Sequence, residues 1–361
     1  VTGPILIAAG GTGGHFFPAE ALAGELLRRG RRVALITDAR SGALKSTVFA
    51  GTERFTLAGH GVFGRGALHA LGALATIARS ALKARAILAG LRPAVLVGFG
   101  GYPCVAPILG ARMLKARPRL VLHEQNAVLG RANRLLARLV DRLALSHKNT
   151  AHLPAGVATN LTGNPVRPAI AALAGRGYAP PVAEIRLLIL GGSLGARVFS
   201  DVVPAALALL PQDLQARLRI VQQCRPEDLD RVRTAYAEHR IPAELASFFA
   251  DVADRLSAAH LVISRAGATT VAELAVAGRP AILVPLPIAI DDDQTLNAAT
   301  LVQAGGAWIV KQPDFTPAHL AETLHALLNN PARLAQAAAA AATQGHADAT
   351  QRLADLVEGL T

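Results

Sequence analysis

His15 stands directly after the run Gly10-Gly11-Thr12-Gly13-Gly14. An imidazole titrates near neutrality, so at that place it could take a proton from a hydroxyl. The glycines let the backbone turn tightly and let a ligand approach the free N–H groups of a following helix, which favour anions. No Lys-Ser/Thr pair follows, so the loop is not a nucleoside-triphosphate P-loop. Phe16 stands where a dinucleotide fingerprint needs its third glycine. A cradle for a diphosphate or sugar hydroxyls remains, with a helix cap or a plain ligand contact as the modest alternative for His15.

A second glycine turn of the same kind, Gly191-Gly192-Ser193-Leu194-Gly195-Ala196, follows the apolar run Leu187-Leu188-Ile189-Leu190. Other polar clusters also sit behind apolar runs. His123-Glu124-Gln125-Asn126 follows Leu120-Val121-Leu122, and Gly98-Phe99-Gly100-Gly101-Tyr102-Pro103 closes the run before it. Residues just past the carboxyl ends of parallel strands face the ligand crevice, so four polar side chains in succession there suit a site better than packing. Ser264-Arg265-Ala266-Gly267-Ala268-Thr269-Thr270-Val271-Ala272-Glu273 follows Leu261-Val262-Ile263. Its small residues and threonines at a helix start make a second anion site, where Glu273 could hold ribose hydroxyls or complement the helix dipole. Asp291-Asp292-Asp293 has the look of a metal-binding acidic run. Metal-dependent transferases of that kind are built on one domain, however, and Gln294 beside it suits sugar hydroxyls better.

Strands must carry these clusters and helices must start on them. In the first half, strand-like runs lie near 4–9, 32–37, 53–57, 94–97, 119–123 and 141–146, with helices near 18–30, 42–51, 67–91, 103–116 and 128–139. That alternation predicts a parallel, doubly wound α/β sheet. Gly163-Asn164-Pro165-Val166-Arg167-Pro168 reads as a linker or hinge. The pattern restarts with strands near 185–190, 217–222, 245–249, 260–263 and 280–284, and an alanine-rich tail from about 316 to 360 is helical by propensity. We therefore expect two domains facing each other across a cleft, 1–162 and 169–361, joined by the linker 163–168. A return of the C-terminal helices to the first domain is left open.

The 361 residues are 52% hydrophobic and 17% charged, enough to bury two cores. Cys104 and Cys224 lie far apart without a CxxC spacing, which argues against a disulfide framework or zinc site and for a reducing compartment. No basic n-region or apolar run of about 18 residues is seen, so neither a secretory leader nor a spanning helix is expected. The net charge of +12 is concentrated: residues 1–161 carry 21 Lys/Arg against 6 Asp/Glu, the remainder 16 against 19. The first half should thus meet an anionic partner. Few aromatics and no basic reading helix make nucleic acid the weakest candidate. Ala67–Leu91 has an apolar stripe of Leu68, Leu71, Leu74, Ile77, Ala81, Leu82 and Ile87 among Arg65, His69, Arg79, Lys83, Arg85 and Arg92. It reads either as a helix packed on the sheet or as one lying on an anionic bilayer.

Taken in order, GGTGGHFFPA, GFGGYP, LHEQN, GNPVR, GGSLGAR, SRAGATTVAEL and DDDQTLNA resemble the MurG family of lipid II-forming N-acetylglucosaminyltransferases, over nearly the whole chain. The resemblance implies a GT-B fold of two Rossmann-like domains and inverting transfer of GlcNAc from UDP-GlcNAc to the C4 hydroxyl of the muramoyl sugar of lipid I. It implies acceptor diphosphate over Thr12, Gly13 and Gly14, and His15 as base, with Glu124 as a lesser candidate. Tyr102 and Asn126 would orient the sugars. Arg167 and Ser193 would lie near the donor diphosphate, with Phe249 beside uracil. Ala268, Thr269, Thr270 and Val271 would hold phosphates and ribose, with Glu273 on the ribose hydroxyls and Gln294 on GlcNAc.

No metal or other cofactor is implied, and membrane-bound lipid I implies peripheral attachment to the cytoplasmic face of the bacterial plasma membrane. The chain departs from the family pattern at Leu194 (for Gln), Asp293 (for His or Gln), Phe16 (for Val) and Phe249 (for a smaller aliphatic residue), which bears on donor affinity. Rival readings are a UDP-GlcNAc 2-epimerase, a natural-product glycosyltransferase, a non-catalytic nucleotide-sugar sensor and an NAD-dependent oxidoreductase.

Overall fold

The computed structural model describes residues 3–10, 13–38, 46–57, 67–192, 195–287 and 290–361. The chain divides into two units, one of residues 1–167 with 348–361 and one of residues 168–347.

The first unit runs β1 (Ile5–Ala8), α1 (Gly13–Arg28), β2 (Val33–Asp38), β3 (Glu53–Leu57), α2 (Ala67–Leu91) and β4 (Val95–Gly98). It continues with α3 (Tyr102–Arg112), β5 (Arg119–Glu124), α4 (Arg131–Leu136), β6 (Arg142–Leu145) and β7 (Thr159–Leu161). Among the described residues these strands form one seven-stranded parallel sheet in the order β3-β2-β1-β4-β5-β6-β7. The central strands are near-continuous apolar runs buried on both faces, as parallel strands covered by helices must be. The edges are polar: β3 is largely exposed and β7 wholly so, which discourages pairing with another chain.

The second unit runs α5 (Pro168–Ala171), β8 (Ile185–Leu190), α6 (Arg197–Ala208), α7 (Gln212–Arg217), β9 (Leu218–Gln223) and α8 (Leu229–Glu238). Then come β10 (Ala243–Ala246), α9 (Val252–Ala258), β11 (Leu261–Ser264), α10 (Ala268–Ala277) and β12 (Ala281–Leu283). It closes with α11 (Asp293–Ala304), β13 (Ala307–Ile309), α12 (Pro317–Leu328) and α13 (Pro331–Ala342). Its described strands form a six-stranded parallel sheet, β10-β9-β8-β11-β12-β13. The last helix, α14 (Ala349–Glu358), belongs to the first unit: Leu353, Ala354 and Val357 share a core with Ile5, Ile7, Phe16 and Leu22.

Several expectations need correction. The described part of the helix expected over 42–51 is turn and bend. Ser46 Oγ accepts from the Phe49 N–H at 3.2 Å and Thr52 Oγ1 donates to the Phe49 carbonyl at 3.1 Å, local bonds that compete with a helical ladder. Phe49 itself is fully buried against Phe16. Helix α1 starts at Gly13, not near 18; its first turn opens with two glycines, poor helix formers that give no helical signal in the sequence. The strand expected over 245–249 is β10, which ends at Ala246; Phe249 then turns under Arg255. The short strands β7 and β13 are too brief to show a period.

The α2 helix packs one face on α3: Ser80, Ala81, Ala84 and Leu88 are buried, while Leu74 and Leu82 are 61% and 52% exposed. Two leucines of the expected stripe, Leu74 and Leu82, thus face outward beside Arg79, Lys83 and Arg85, while the side chains of Leu68 and Leu71 lie outside the described residues. Gly110 makes the packing possible: a Cβ there would lie 2.6 Å from the Ala81 carbonyl oxygen.

Candidate functional site

In each sheet the order in which the chain adds strands reverses once. In the first unit the chain moves from β1 to β2 and β3 on one side, then crosses back to β4 on the other. In the second it moves from β8 to β9 and β10, then back to β11. Crevices outside the carboxyl ends of the strands at such reversal points are where open α/β sheets bind ligands. The β1–β4 point carries His15 and Gly100–Gly101; the β8–β11 point carries Gly191–Gly192 and Gly267.

At the first point His15, on the opening turn of α1, is half-buried. Gly100 and Gly101 have φ of +85° and +69°, left-handed values that favour glycine, and lie against the imidazole. A Cβ on Gly100 would stand 3.5 Å from His15 Cε1, and one on Gly101 3.5 Å from its Nε2. Cys104 Sγ reaches the carbonyls of Ala8 at 3.3 Å and Gly100 at 3.1 Å, tying the glycine pair to the end of β1. Burial pushes this thiol up to about 12, so it stays protonated.

Behind His15, its Nδ1 lies 2.9 Å from Gln125 Oε1. The Gln125 Nε2 is 3.1 Å from the Phe99 carbonyl, 3.2 Å from the His123 carbonyl and 3.0 Å from His123 Nδ1. His123 Nε2 is 3.0 Å from the Gly163 carbonyl. His123 is completely buried, and that burial pushes its pKa down to about 4 against the opposing pull of the Gly163 bond, so it is neutral at pH 7.

Glu124 is buried and fully engaged. Its Oε1 accepts from the Asn126 N–H at 3.0 Å and from Asn126 Nδ2 at 3.1 Å; its Oε2 accepts from the Gly130 N–H and from Asn133 Nδ2, each at 2.8 Å. A carboxylate so used holds Asn126 and the start of α4. Tyr102 is half-buried with its hydroxyl buried and unpartnered among the described residues, and burial raises its pKa. Gly13 is buried and Gly14 exposed at the head of α1; Thr12 lies outside the described residues.

The second point is built alike. A Cβ on Gly191 would lie 2.4 Å from the Ala196 N, and Gly192 and Gly195 have φ of +80° and +66°. Gln223 staples the turn, accepting from the Gly191 N–H at 3.1 Å and donating to the Gly192 carbonyl at 3.1 Å. Ser193 and Leu194 lie outside the described residues. Helix α10 is preceded by Gly267 at its N-cap, with no side-chain cap bond. Ala268 and Val271 are buried beneath its first turn, Thr269 and Thr270 are half-buried, and Glu273 is 6% exposed. Gln294 Oε1 accepts from the Ala266 N–H at 3.2 Å and the Leu286 N–H at 3.0 Å, joining α11 to the ends of β11 and β12. Half-buried Asp293 precedes it, after two left-handed residues, Asp291 (φ +60°) and Asp292 (φ +52°). Among the described residues no three His, Cys, Asp or Glu side chains converge as metal ligands would.

Two more of the expected residues have ring contacts of their own. Arg167 falls in the first unit, its guanidinium 5.4 Å from the Phe17 ring centroid, because the chain passes to the second unit only after it. Phe249 is 5% exposed, with the Arg255 guanidinium 4.1 Å above its ring, so that face is already covered. Arg255 is fixed in turn by Glu244 at 2.7 Å and Asp251 at 2.8 Å. Three further residues carry no individual signal in the sequence. Gln125 was visible only as part of a polar run. Asn133, with its Oδ1 buried and unpartnered among the described residues, sits in an unremarkable basic helix. Arg265 donates to the carbonyls of Val284 and Pro285 and to Gln312, and burial lowers its pKa.

Residues 5–145 match the glycosyltransferase family 28 N-terminal domain and residues 186–353 the glycosyltransferase family 28 C-terminal domain. The chain is 63% identical over 357 residues to a UDP-N-acetylglucosamine–N-acetylmuramyl-(pentapeptide) pyrophosphoryl-undecaprenol N-acetylglucosamine transferase of Granulibacter bethesdensis, covering 98% of this chain and 93% of that protein. It is 54% identical to the protein of the same name from Acidiphilium cryptum, covering 98% and 96%. The crystal structure of Acinetobacter baumannii MurG superposes with a TM-score of 0.81 at 31% identity, over 99% of this chain and 100% of that one. Matched by the family's N-terminal and C-terminal domain models and 63% identical over 98% of its length to the Granulibacter protein, the chain belongs to glycosyltransferase family 28.

Proposed function

We propose that this protein transfers GlcNAc from UDP-GlcNAc to the C4 hydroxyl of the MurNAc-pentapeptide of undecaprenyl-diphosphate-linked lipid I, giving the β-1,4-linked lipid II used in peptidoglycan synthesis. The observation that carries this reading is the 63% identity over 98% of the chain to a protein named for that transfer. Acceptor diphosphate would lie on the N–H groups at the head of α1, over Thr12, Gly13 and Gly14, with Tyr102 and Asn126 orienting the sugars. His15 Nε2 takes the C4 hydroxyl proton as that oxygen attacks the anomeric carbon. The bond from that carbon to the diphosphate breaks on the opposite face, and its electron pair leaves with UDP, so the configuration inverts. In the second unit the Gly191–Gly195 turn and the head of α10 stabilise the charge on the departing diphosphate. Glu273 would hold ribose and the amide nitrogen of Gln294 the GlcNAc.

Lipid I places this chemistry at the cytoplasmic face of the bacterial plasma membrane. Exposed Leu74 and Leu82 beside Arg79, Lys83 and Arg85 on α2 support peripheral docking on anionic lipid. Among the described residues no helix is long and apolar enough to cross a membrane.

The test is transfer of labelled GlcNAc from UDP-GlcNAc to a short-chain lipid I analogue in EDTA, for the wild type and His15→Ala. Turnover reduced about 10²-fold or more in the variant is expected. Folded wild type that binds UDP-GlcNAc but transfers nothing, or that returns a 2-epimer from UDP-GlcNAc alone, would overturn the reading.

A further inference from the structure

We propose that Gln125 is a positioning residue that locks His15 into the Nδ1–H tautomer, leaving Nε2 as the lone pair that receives the substrate proton. This rests on the reading of His15 as base, and it follows from which atoms can donate. A backbone carbonyl only accepts, and the Gln125 amide end that approaches Phe99 O and His123 O faces two of them, at 3.1 and 3.2 Å. That end must be the NH2; the flipped amide would set an oxygen against two carbonyl oxygens.

Two assignments follow from this one. The same NH2 stands 3.0 Å from His123 Nδ1, so that nitrogen offers its lone pair and the His123 proton sits on Nε2. There it meets an acceptor, the Gly163 carbonyl at 3.0 Å. At the other end the Gln125 oxygen is an acceptor, so His15 Nδ1, 2.9 Å away, must carry the hydrogen. The run Gly163–His123–Gln125–His15 is therefore consistent in one direction only, anchored by backbone carbonyls that cannot reverse.

The packing makes the lock rigid. Gln125 is 2% exposed and His123 is fully buried, so neither amide nor ring can turn to water for a substitute partner. The Gly100–Gly101 backbone closes on the other edge of the His15 ring, where a Cβ would stand 3.5 Å from Nε2 or Cε1. An imidazole held this way resembles a metal-ligating histidine whose second nitrogen is fixed by an outer partner: the partner chooses the tautomer, and the ring presents the remaining lone pair.

The test is first spectroscopic. In wild-type protein labelled with 15N-histidine, the His15 signals are those lost in His15→Ala. The proposal expects a protonated-type Nδ1 and a lone-pair-type Nε2 at pH above 7.5; the opposite pattern overturns it without any question of misfolding. Kinetics follow with Gln125→Leu, checked for an unchanged UDP-GlcNAc Kd. The expected result is kcat lower by about 10- to 100-fold with KM for both substrates within about twofold. An unchanged kcat, or a loss confined to KM, overturns the positioning role. If His15→Ala turns over at the wild-type rate, the base reading fails and the wild-type spectrum still decides the tautomer. If His15→Ala is inactive but the wild type shows Nε2–H, the base reading stands and this proposal falls.

Discussion

Arg29 Nη1 and Asp355 Oδ1 lie 2.6 Å apart although 326 residues separate them in sequence. The same guanidinium reaches Glu358 and Glu25, each at 2.7 Å, so one side chain just past the end of α1 gathers carboxylates from α1 and from α14. Arg29→Ala should therefore destabilise the protein by about 1–2 kcal/mol, the worth of a charge-assisted hydrogen-bond set that is only partly exposed. Urea unfolding would read it. The helix should stay docked, because Leu353, Ala354 and Val357 remain in the core. A midpoint unchanged by the substitution would mean that the apolar contact alone holds α14.

Stability should fall with acid in two windows. His123 protonates near 6.5 when unfolded and near 4 when folded, because it is buried. Between those values the unfolded chain holds the extra proton, so stability present above about 6.5 is lost as pH falls towards 4. Lower down, Glu25 is held near 2 instead of 4.5, chiefly by its hydrogen bond from Arg28, and Asp141 near 2 instead of 3.8 by Arg117. Their contribution is present above about 4.5 and lost as pH falls towards 2. Thermal unfolding from pH 7.5 to 3 should show both declines, and His123→Gln should flatten only the upper one.

Gly101→Ala tests the wall beside His15. Its φ of +69° makes any side chain strained by about 1–2 kcal/mol. The new methyl would sit in ordinary contact, 3.5 Å from Nε2, and cover the atom that must meet a hydroxyl. Transfer should drop at least about 10-fold with UDP-GlcNAc affinity unchanged, as steady-state rates and calorimetry would show.

Gly110→Ala tests the seat of α2. Its Cβ would lie 2.6 Å from Ala81 O and 2.8 Å from Arg85 N, both backbone atoms. The two helices must part, at a cost of about 1–3 kcal/mol in urea unfolding. Vesicle binding should weaken as well if the exposed face of α2 is the docking surface.

The alternation of strands and helices is plain in the sequence because buried parallel strands are unbroken apolar runs, and the glycine turns stand out directly behind two of those runs. What could not be read depended on which partner the folded chain selects. The ten residues of α14 offer Leu353, Ala354 and Val357 to either sheet equally well, and only the tertiary fold selects the first. Phe249 has the right chemistry to stack on a base, yet Arg255 already stacks on it. Glu124 and Gln125 are neighbours of similar shape, but one has its oxygens filled by Asn126, Gly130 and Asn133 and the other faces His15. Composition cannot tell these fates apart, since hydrogen-bond geometry makes the difference.

The return of α14 to the first sheet inverts the order in which a growing polypeptide can finish its parts. Residues 168–347 are contiguous, so everything that unit needs has been synthesised before α14 exists. The first unit, begun earliest, keeps an apolar gap beside Ile5, Ile7 and Leu22 until the segment at 349–358 is made. The last core residues of the unit that carries His15 are therefore synthesised only after the whole of the other unit.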